Sequence, residues 1–422
     1  MQRLLLVLVC LWIGCGSAEQ PPAFLELTEA QARPLTDRTF ETTPERLARG
    51  EYLAEGLLRC FTCHSERDWN APSALPIEAT KGAGAMYSVD PDTWITAPNL
   101  TPDDETGIGT WTDDMLARAI REGVGHDGRV LHPAMDYGSF RRISDEDLAS
   151  VIVFLRSRPP AHNPLPATVL PMEQQQEFAA RLSPITEPVP ARDLTDPWER
   201  GRYLVLLGNC EGCHTSWYSL RNPGLLGGGN PIERGENIAF STNITKHASG
   251  MAYPAEAFIQ VIRTGKGGTL SPMMPWTVFQ HLTDADLTAM HAFLQTMHPV
   301  AHHINNFAEP TLCVVCEQEH GLGELNKLET PEGVAIDPAL YDDYVGAYQS
   351  EEYGFTIRVK REGDRLLAQE DEGPVAELIP QSETRFLMVG GIAPLRFVRD
   401  EAGAVSTLIS EEVEEMVLQR VD

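Results

Sequence analysis

A five-residue pattern occurs twice in this chain and constrains its fold and chemistry more than any other feature. The first copy is Cys60–His64, in LLRCFTCHSE, and the second is Cys210–His214, in LGNCEGCHTS. Two cysteines separated by two residues and followed directly by histidine are compatible with a zinc site, a redox dithiol or the covalent attachment of haem c. The residues around the two copies decide among these three interpretations.

The two copies lie within a longer internal repeat. Each is preceded by Arg-Gly-x-Tyr-Leu, in LARGEYLAEG and ERGRYLVLLG, and is followed by Asn-x-Thr, in PNLTPDD and TNITKHA. Each half then has a methionine loop, HPAMDYGSF or SPMMPWTVF, and a final apolar helix pattern with Ser144 or Thr283 as its predicted N-cap. We therefore predict two small α-helical domains, over residues 45–160 and 197–300.

Haem c satisfies every part of the repeated pattern. A structural zinc ion needs four nitrogen or sulfur ligands, and neither half offers a second cysteine pair. A thioredoxin-like dithiol needs a βαβ context, which the helical pattern lacks. In a haem c site the two cysteines attach the porphyrin and the next residue, histidine, binds the iron. We predict two covalent haem c groups, one on Cys60 and Cys63 and one on Cys210 and Cys213.

The iron ligands follow from the same repeat. His64 and His214 are the predicted proximal ligands, and Met135 and Met274 occupy matching places in the loop before each final helix. A methionine opposite a histidine raises the reduction potential and is typical of electron carriers. Met273 competes with its neighbour Met274 but does not keep the repeat offset. A plain core role is the alternative for Met135.

Further residues near these ligands have weaker assignments. Arg121 and Arg263, in IREG and IRTG, are candidates for binding a haem propionate, with an ordinary role on the helix surface as the equal alternative. Trp111 and Tyr253 are candidates for packing on the haem or contacting a propionate, and plain core positions are the alternative. His132 is the second choice for the sixth iron ligand in the first half.

The motifs of the helical region resemble a known family. The segment PNLTPDDETGIGTWTDDMLARAIREGVGHDGRVLHPAM contains Asn-Leu-Thr-Pro-Asp, Gly-Ile-Gly-x-Trp and His-Pro-x-Met. It is similar to class I cytochrome c domains, in particular to the cytochrome c subunits of membrane-associated alcohol and gluconate dehydrogenases. The second half keeps Asn-Ile-Thr and Met-Pro-Trp but has Gly-Met-Ala-Tyr for the glycine-tryptophan element. Those subunits usually hold three haems, whereas this chain has two sites.

The chain changes character after about residue 333. Segments such as FTIRVKRE, RLLAQE and LRFVRD alternate apolar and polar residues at a period of two, with turn clusters between them. This pattern predicts a small antiparallel, barrel-like β domain over residues 333–422. It resembles the β domain often appended to serine β-lactamase-like hydrolases, but no Ser-x-x-Lys motif accompanies it. The predicted fold is thus multidomain: two all-α cytochrome c domains followed by a small antiparallel β domain.

Two linkers flank the second helical domain. Residues 161–196 are rich in proline, contain one short helical piece and are predicted to form a strap along the surface. Residues 301–332 contain a third cysteine pair, Cys313 and Cys316, followed by glutamate instead of the histidine that a haem site needs. In an oxidising compartment this pair favours a disulfide, with an unusual cofactor site or a free dithiol as the alternative.

The N-terminus predicts export from the cytoplasm. MQRLLLVLVCLWIGCGSA has one arginine, an apolar run too short to span a membrane and then small residues, which is the pattern of a signal peptide over residues 1–18. A linker follows over residues 19–44. Ile-Gly-Cys15 is similar to a lipoprotein box, which predicts a lipid anchor on Cys15; ordinary signal cleavage at Gly-Ser-Ala18 is the alternative. We expect the periplasm of a Gram-negative-type bacterium.

The charge of the chain limits its partners. The formal net charge is −28, with 33 basic against 61 acidic residues, so the chain cannot neutralise the phosphates of a nucleic acid. Such an acidic protein is suited to docking on basic patches of partner proteins. The predicted partners are redox proteins: a dehydrogenase as electron donor and an oxidase or another cytochrome as acceptor. The sequence leaves the oligomeric state open.

These observations predict an electron carrier rather than an enzyme. The expected function is that of an exported dihaem cytochrome transferring single electrons between a dehydrogenase and a respiratory acceptor. A dihaem peroxidase is the first alternative, but it needs one iron open to peroxide, which the repeated methionine disfavours. The second alternative is a sensor or binding module in which the β domain captures a ligand and the haems respond.

Overall fold

The computed structural model describes most of the chain. The described residues are 24–71, 74–90, 93–217, 222–234, 237–267, 274–327, 331–350, 354–373, 375–389 and 391–421. The predicted signal peptide with Cys15, and also Met273, lie outside these residues. Within the described ranges, no helix combines the length and the apolar character needed to cross a membrane.

The first half of the chain is mainly helical, as predicted, and also contains a small hairpin. Helix α1 continues directly into a π-helical turn over Leu53–Leu57. The helices of this half are α1 (Pro44–Tyr52), α2 (Cys60–Cys63), α3 (Asp113–Glu122), α4 (Tyr137–Phe140) and α5 (Asp145–Arg156). The sequence did not predict the antiparallel pair β1 (Ala85–Asp90) and β2 (Thr93–Ala97). Helix α1 packs along α5, so the two ends of this half meet.

The second half repeats this order after one helix in the strap, α6 (Met172–Ala179). Its helices are α7 (Pro197–Leu207), α8 (Cys210–His214), α9 (Ala255–Thr264), α10 (Trp276–Phe279) and α11 (Asp284–Leu294). Its hairpin is β3 (Pro231–Arg234) with β4 (Asn237–Phe240). Helix α7 packs along α11, as α1 does along α5. A single apolar core contains residues of both halves, among them Leu57 and Ile152 from the first and Leu204 and Phe293 from the second.

Glycine in the repeated Arg-Gly-x-Tyr-Leu motif permits these helix pairs to approach closely. A Cβ atom added to Gly50 would lie 2.0 Å from the carbonyl oxygen of Ser150. A Cβ atom added to Gly201 would lie 2.0 Å from the carbonyl oxygen of Ala289. Any larger residue at either position would push the paired helices apart, because neither carbonyl oxygen can move without its helix.

The arginine and tyrosine of the motif bind an aspartate at the start of the last helix of a half. Arg49 donates two hydrogen bonds, of 2.7 and 2.8 Å, to Asp147. Tyr203, from the other half, donates to the same carboxylate at 2.9 Å. The predicted N-cap is present too, because the Ser144 hydroxyl accepts from the Asp147 amide at 3.1 Å. The second half repeats the arrangement with Arg200, Asp286, Thr283 and, from the first half, Tyr52. Each half therefore provides one tyrosine that hydrogen-bonds to an aspartate of the other half.

The segment after the second half forms a short hairpin, and the C-terminal region forms a closed antiparallel barrel of eight strands, which confirms the predicted β domain. The hairpin strands are β5 (Pro310–Leu312) and β6 (Glu319–Gly321). Helix α12 (Tyr341–Tyr344) precedes the barrel. Each barrel strand pairs with the next, and β7 and β14 close the ring. The barrel strands are β7 (Gly346–Gln349), β8 (Thr356–Glu362), β9 (Arg365–Glu370), β10 (Val375–Pro380), β11 (Arg385–Met388), β12 (Pro394–Arg399), β13 (Val405–Ser410) and β14 (Met416–Arg420).

The barrel is attached to the helical region by polar contacts. The Arg202 guanidinium donates to the carbonyl of Val413 at 3.0 Å. The Leu225 amide donates to the carbonyl of Ile392 at 2.7 Å. Arg202 and Leu225 belong to the second half, whereas Arg142 of the first half forms an ion pair with Glu414, so the barrel contacts both halves. Its own core is aromatic and contains the buried side chains of Tyr344, Tyr348, Phe386 and Phe397.

Candidate haem sites

Each attachment motif forms a single helical turn. The turns are entered through Arg59, with φ 55°, and Asn209, with φ 48°, both in the left-handed region. The two cysteines of each motif are half-buried and their sulfurs are free. Burial raises the pKa of Cys60 and of Cys210 to about 12. Reactive Cys-x-x-Cys dithiols have lowered pKa values, so neither motif has the electrostatics of a redox dithiol.

The histidine of each motif is held so that one ring nitrogen remains for a metal. The Nδ1 atom of His64 lies 2.7 Å from the carbonyl oxygen of Pro98, and that of His214 lies 2.6 Å from the carbonyl oxygen of Thr242. Because a carbonyl only accepts, Nδ1 carries the proton and Nε2 presents its lone pair. Burial lowers the pKa of His64 to about 4 and lowers that of His214 as well. Both rings are therefore neutral, as iron ligation requires.

The repeated Asn-x-Thr motif fixes these carbonyl groups, a role that the sequence analysis missed. Pro98 directly precedes Asn99, whose side-chain oxygen accepts from the Thr101 amide at 2.8 Å. The side-chain amide of Asn99 donates to the backbone carbonyl of Ala161 at 2.6 Å, which ties the start of the strap to the site. The second half uses the same bonds, through Asn243, Thr245 and the carbonyl of Val300. The repetition of Asn-x-Thr was the available signal in the sequence.

The first motif opens into a cavity of about 410 Å³. This volume lies within the range of roughly 300–1,000 Å³ typical of cofactor pockets. The cavity wall contains both cysteines and His64 on one side, together with Met135 and Trp111. The exposed polar surface in the wall is small, as a porphyrin requires. The structure thus brings together all the residues that the sequence assigned to the first haem except Arg121.

Segments outside the repeat complete this wall. Phe24 from the N-terminal segment and Leu170 and Gln175 from the strap all line the cavity. Gln175 joins these segments, because its side-chain oxygen accepts from the Leu25 amide at 2.8 Å while its amide donates to the Leu170 carbonyl at 2.8 Å. The predicted strap therefore forms part of the first candidate site rather than a simple spacer.

Met135 lies at the end of a 3₁₀ turn, Pro133–Met135. The Nδ1 atom of His132 accepts from the Ala134 amide at 3.1 Å, so this nitrogen caps the turn. His132 also lines the cavity. The turn presents the Met135 side chain to the same cavity as His64, as the sequence predicted for the sixth ligand.

The second site is described in part, because residues 268–273 lie outside the described ranges. Met274, Cys210 and Tyr253 are partly buried, and each packs against the common core. The carbonyl oxygen of Tyr253 accepts a hydrogen bond from Nε2 of His291 at 2.9 Å. Burial raises the pKa of the Tyr253 phenol. Three of the residues predicted for the second site, Cys210, Tyr253 and Met274, thus border the same core.

The predicted propionate ligands Arg121 and Arg263 are used elsewhere. Arg121 is buried and forms an ion pair with Asp145, away from the cavity wall. Arg263 donates to Asp284 at 2.6 Å in the matching place. Both arginines therefore fasten one helix of a half to the start of its last helix, and Arg121 does so from a buried position rather than from the helix surface that was the alternative. Arg129, which the sequence analysis did not select, lines the first cavity instead.

Trp111 lies between the first cavity and the core. It lines the cavity and belongs to the partly buried residues around the core. Its ring is stacked on that of His126, with ring centroids 4.1 Å apart and an interplanar angle of 24°. Stacking of this kind holds the indole in one orientation against the cavity.

The two sites adjoin each other through Asp136. Asp136 directly follows Met135. Its two carboxylate oxygens accept hydrogen bonds from the side-chain amide of Asn209, at 3.0 and 3.2 Å. Asn209 directly precedes Cys210. Arg59, which directly precedes Cys60, lies 3.5 Å from the same carboxylate. Contacts between immediate neighbours of the haem-binding residues therefore link the first site to the second.

The structure corrects the interpretation of the third cysteine pair. Cys313 and Cys316 are both free and buried, so the disulfide expected from the sequence is not formed. Their sulfurs instead face two imidazoles: Sγ of Cys313 lies 3.5 Å from Nε2 of His302, and Sγ of Cys316 lies 3.4 Å from Nε2 of His320. The two histidines are brought to the pair by the folding of the linker, which a search for local motifs does not detect.

Comparison with known proteins agrees with the helical resemblance. Residues 196–294 match the family model described as cytochrome c oxidase, cbb3-type, subunit III. The fructose dehydrogenase cytochrome subunit of Gluconobacter japonicus is 29% identical over 64% of this chain and 56% of its own length. The cytochrome c subunit of the quinone alcohol dehydrogenase of Gluconobacter oxydans is 28% identical over 60% of this chain and 55% of its own. A diheme cytochrome c-type protein of Cereibacter sphaeroides is 31% identical over 42% of this chain and 61% of its own.

The barrel matches a different family. Residues 330–420 match a family model described only as a domain of unknown function, DUF3471. The chain spans little more than half the length of the two dehydrogenase cytochrome subunits just named. The chain thus contains a cytochrome c domain, which supports a role in electron transfer, joined to a barrel whose family carries no assigned activity.

The residues present fit a c-type haem. Two cysteines one helical turn apart and a neutral imidazole with a free Nε2 stand beside an apolar cavity of suitable size. A methionine side chain enters the same cavity. The donor set is that of histidine–methionine cytochromes c.

Proposed function

We propose that this chain is an exported dihaem c-type cytochrome that transfers single electrons between a dehydrogenase and a respiratory acceptor. The observation that carries the proposal is the repeated pair of sites, in each of which a carbonyl holds Nδ1 of the motif histidine. When bound, a haem iron supplies one-electron oxidation and reduction. The cytochrome relatives, which are subunits of dehydrogenases or a diheme protein, support the same function.

In this proposal each residue of a site has one role. Cys60 and Cys63 hold one haem through thioethers, and Cys210 and Cys213 hold the other. His64 and Met135 would bind the iron of the first haem, and His214 and Met274 would bind that of the second. A methionine bound to each iron would exclude small molecules such as peroxide and would favour electron transfer.

The contacts of Asp136 support transfer between the two sites. This carboxylate joins Asn209 of the second motif to the loop that carries Met135. Such a bridge holds the two haem-binding loops at a fixed separation, which a relay of electrons within one chain requires. Burial raises the pKa of Asp136, and hydrogen bonds from its neighbours oppose that effect.

Partners and location belong to the same proposal. We infer an extracytoplasmic protein, periplasmic in a Gram-negative-type bacterium, with a lipid on Cys15 as the means of attachment. A dehydrogenase is the donor, and an oxidase or another cytochrome is the acceptor. The net charge of −28 favours docking through basic patches on these partners, so electron transfer should slow as salt concentration rises.

The proposal is tested by counting haem in the protein produced in a host that matures cytochromes c. We expect two covalent haems per chain, and in the oxidised form the far-red band of methionine bound to iron. The double variant C60A/C63A should retain one haem, and C210A/C213A should retain the other. Val375→Ala, at an exposed position of barrel strand β10, is the control and should retain both haems.

Three results would contradict the proposal. The first is a wild-type protein with a single haem. The second is the loss of haem from the control variant. The third is a high-spin haem that reacts rapidly with carbon monoxide or peroxide, because that behaviour requires an open sixth position and indicates a dihaem peroxidase.

A further inference from the structure

The linker between the second helical half and the barrel contains a cluster that the proposed electron transfer does not use. It consists of Cys313 and Cys316, at the turn of the β5–β6 hairpin, with His302 before the hairpin and His320 in β6. All four side chains are buried, with exposed fractions of 2% or less. Their four potential ligand atoms lie within 4.8 Å of one another.

The distances within the cluster match a tetrahedral metal site. In a tetrahedron with zinc–sulfur and zinc–nitrogen bonds of about 2.3 and 2.0–2.1 Å, a sulfur and a nitrogen ligand lie about 3.6 Å apart. The distance from Cys313 Sγ to His302 Nε2 is 3.5 Å, and that from Cys316 Sγ to His320 Nε2 is 3.4 Å. Two of the six distances between the potential ligand atoms therefore match a tetrahedral site, and all six are 4.8 Å or less.

We propose that His302, Cys313, Cys316 and His320 bind a structural zinc ion. Two thiolates and two neutral imidazoles form the tetrahedral S₂N₂ set that zinc prefers. The two negative charges of the thiolates balance the ion, so the buried site carries no net charge and avoids the cost of an uncompensated charge in the interior. Four protein ligands leave no open position, which is the mark of a structural rather than a catalytic zinc.

Surrounding groups orient the ligands in the manner of known zinc sites. Nδ1 of His302 lies 2.8 Å from the carbonyl oxygen of Gly227, and Nδ1 of His320 lies 3.2 Å from that of Gly321. These contacts direct Nε2 of each ring towards the cysteines. The Asn326 amide donates to Sγ of Cys313 at 3.3 Å, a hydrogen bond that stabilises a thiolate.

A disulfide explains these surroundings less well. Both Nε2 atoms are buried and point at sulfur atoms. A disulfide has no S–H group and therefore cannot donate a hydrogen bond to either Nε2 atom. Oxidation would thus leave each buried imidazole with only a weak partner. A metal satisfies both nitrogens and both sulfurs together.

The site also braces the loop behind the second haem motif. Gly227, whose carbonyl receives the His302 ring, is followed by Gly228, whose amide donates to the carbonyl of His214 at 2.7 Å. The next residue, Gly229, has φ 108°, and an added Cβ there would lie 3.0 Å from the His302 ring. The proposed zinc ligand His302 is therefore connected to the backbone of the proposed iron ligand His214 through the two hydrogen bonds of the Gly227–Gly228 peptide.

The test is a metal analysis of the full-length protein after dialysis against a chelator. We expect about one tightly held zinc per chain, separate from the haem iron. Absorption spectroscopy at the zinc edge, which haem iron does not obscure, should give two sulfur neighbours at about 2.3 Å and two nitrogen neighbours at about 2.0–2.1 Å. This measurement uses the wild-type protein, so it does not depend on the folding of any variant.

A variant pair provides the second measurement. C313S/C316S should lower bound zinc at least about tenfold, as expected when two of four ligands are lost. His303→Gln is the matched control, because His303 is a neighbouring histidine outside the cluster, and it should keep its zinc. Haem content is measured in parallel, so a failure of the haem proposal is recognised independently of the zinc result.

Several outcomes would overturn the inference. Protein from the periplasm with no zinc and with Cys313 joined to Cys316 in a disulfide would refute it. Iron in excess of haem, with sulfur and nitrogen neighbours, would replace zinc by another metal. Zinc retained at full level by C313S/C316S would show that the ion binds elsewhere.

Discussion

The two helical halves hold the same attachment motif in different surroundings. In the first half, the N-terminal segment and the strap complete the cavity wall, through Phe24, Leu170 and Gln175. In the second half, the loop after the motif is tied to the linker cluster and to the barrel, through Gly227 and Leu225. The repeat thus contains the residues that we propose bind haem, whereas segments that occur only once surround the first site and contact the second.

This comparison separates two kinds of constraint. The hydrogen bond from Nδ1 of the motif histidine to a backbone carbonyl is nearly the same length in the two halves, 2.7 Å for His64 and 2.6 Å for His214. The outer contacts differ because they come from segments that occur once. We therefore expect changes in the repeated residues to have parallel effects in both sites, and changes in the outer contacts to affect one site only.

The largest effects are expected from the two methionines proposed as iron ligands. Met135→His and Met274→His should each lower the potential of one haem by on the order of 100 mV or more, within the span of about 0.8 V that axial ligands control. Each variant should also lose about half of the far-red methionine band, since one of two proposed sites is changed. Spectroelectrochemical titration measures both quantities.

Met273→Leu is the control for the second site. It should leave the band and both potentials unchanged if Met274 is the ligand. The opposite pattern, with loss of the band in Met273→Leu and none in Met274→His, would move the ligand by one residue and break the equivalence of the two halves.

The next effect concerns the glycines that permit close helix packing. Gly50→Ala and Gly201→Ala should each destabilise the protein by on the order of 4 kcal/mol, because the new Cβ would overlap a helix carbonyl. Shifts of the denaturant midpoint measure the loss. Gly138→Ala, in α4, has open space around the new Cβ and should cost little. Unequal losses at Gly50 and Gly201 would show that the two helix pairs are not equivalent.

The smallest of the three effects concerns the N-terminal segment, which contributes Phe24 to the wall of the first cavity. Arg33, in the N-terminal segment, binds Asp114 of α3 with two hydrogen bonds of 2.8 Å, and the carboxylate is fully buried. Arg33→Gln should lower the free energy of unfolding by about 3 kcal/mol near neutral pH, because it removes the charged partner that binds two buried carboxylates, Asp114 and Glu122. The second site should be unaffected, as its haem spectrum would show.

The pH dependence of this ion pair has a definite sign. Burial of Asp114 opposes its ionisation, but the hydrogen bonds from Arg33 and Thr36 and the charge of Arg33 together outweigh that and hold the pKa of Asp114 below its ordinary value of 3.8. The stabilisation is therefore present above pH 3.8 and is lost as the pH falls through the lower folded-state pKa. The difference between wild type and Arg33→Gln should shrink in acid. Arg38→Gln is the control, since Arg38 is more exposed and 3.8 Å away, and should cost less than about 1 kcal/mol.

Much of the architecture could be predicted from local patterns. Ser144 and Thr283 cap the final helices as expected, and the alternating segments after residue 333 form the barrel. The two β hairpins of the helical halves were not predicted. Strands of four to six residues in polar loops carry too weak a pattern to be distinguished from irregular chain.

The functions of charged and aromatic residues were harder to predict. Arg121 matched a propionate ligand in type and in position but pairs with Asp145. Tyr52 and Tyr203 were visible only as parts of a motif, and the structure shows that each serves the opposite half. A sequence pattern identifies which residues repeat, but it does not show which half each of them contacts.

The sequence by itself determined the chemistry whose geometry is local. Two cysteines and a histidine within five residues have only a few possible arrangements, so their spacing, together with its repetition in a helical context, predicted haem attachment at Cys60–His64 and Cys210–His214. The tertiary structure alone decided the contacts between distant residues. The carbonyl of Pro98 reaches His64, and His302 reaches Cys313, because packing of the whole chain, and not covalent spacing, fixes such distances.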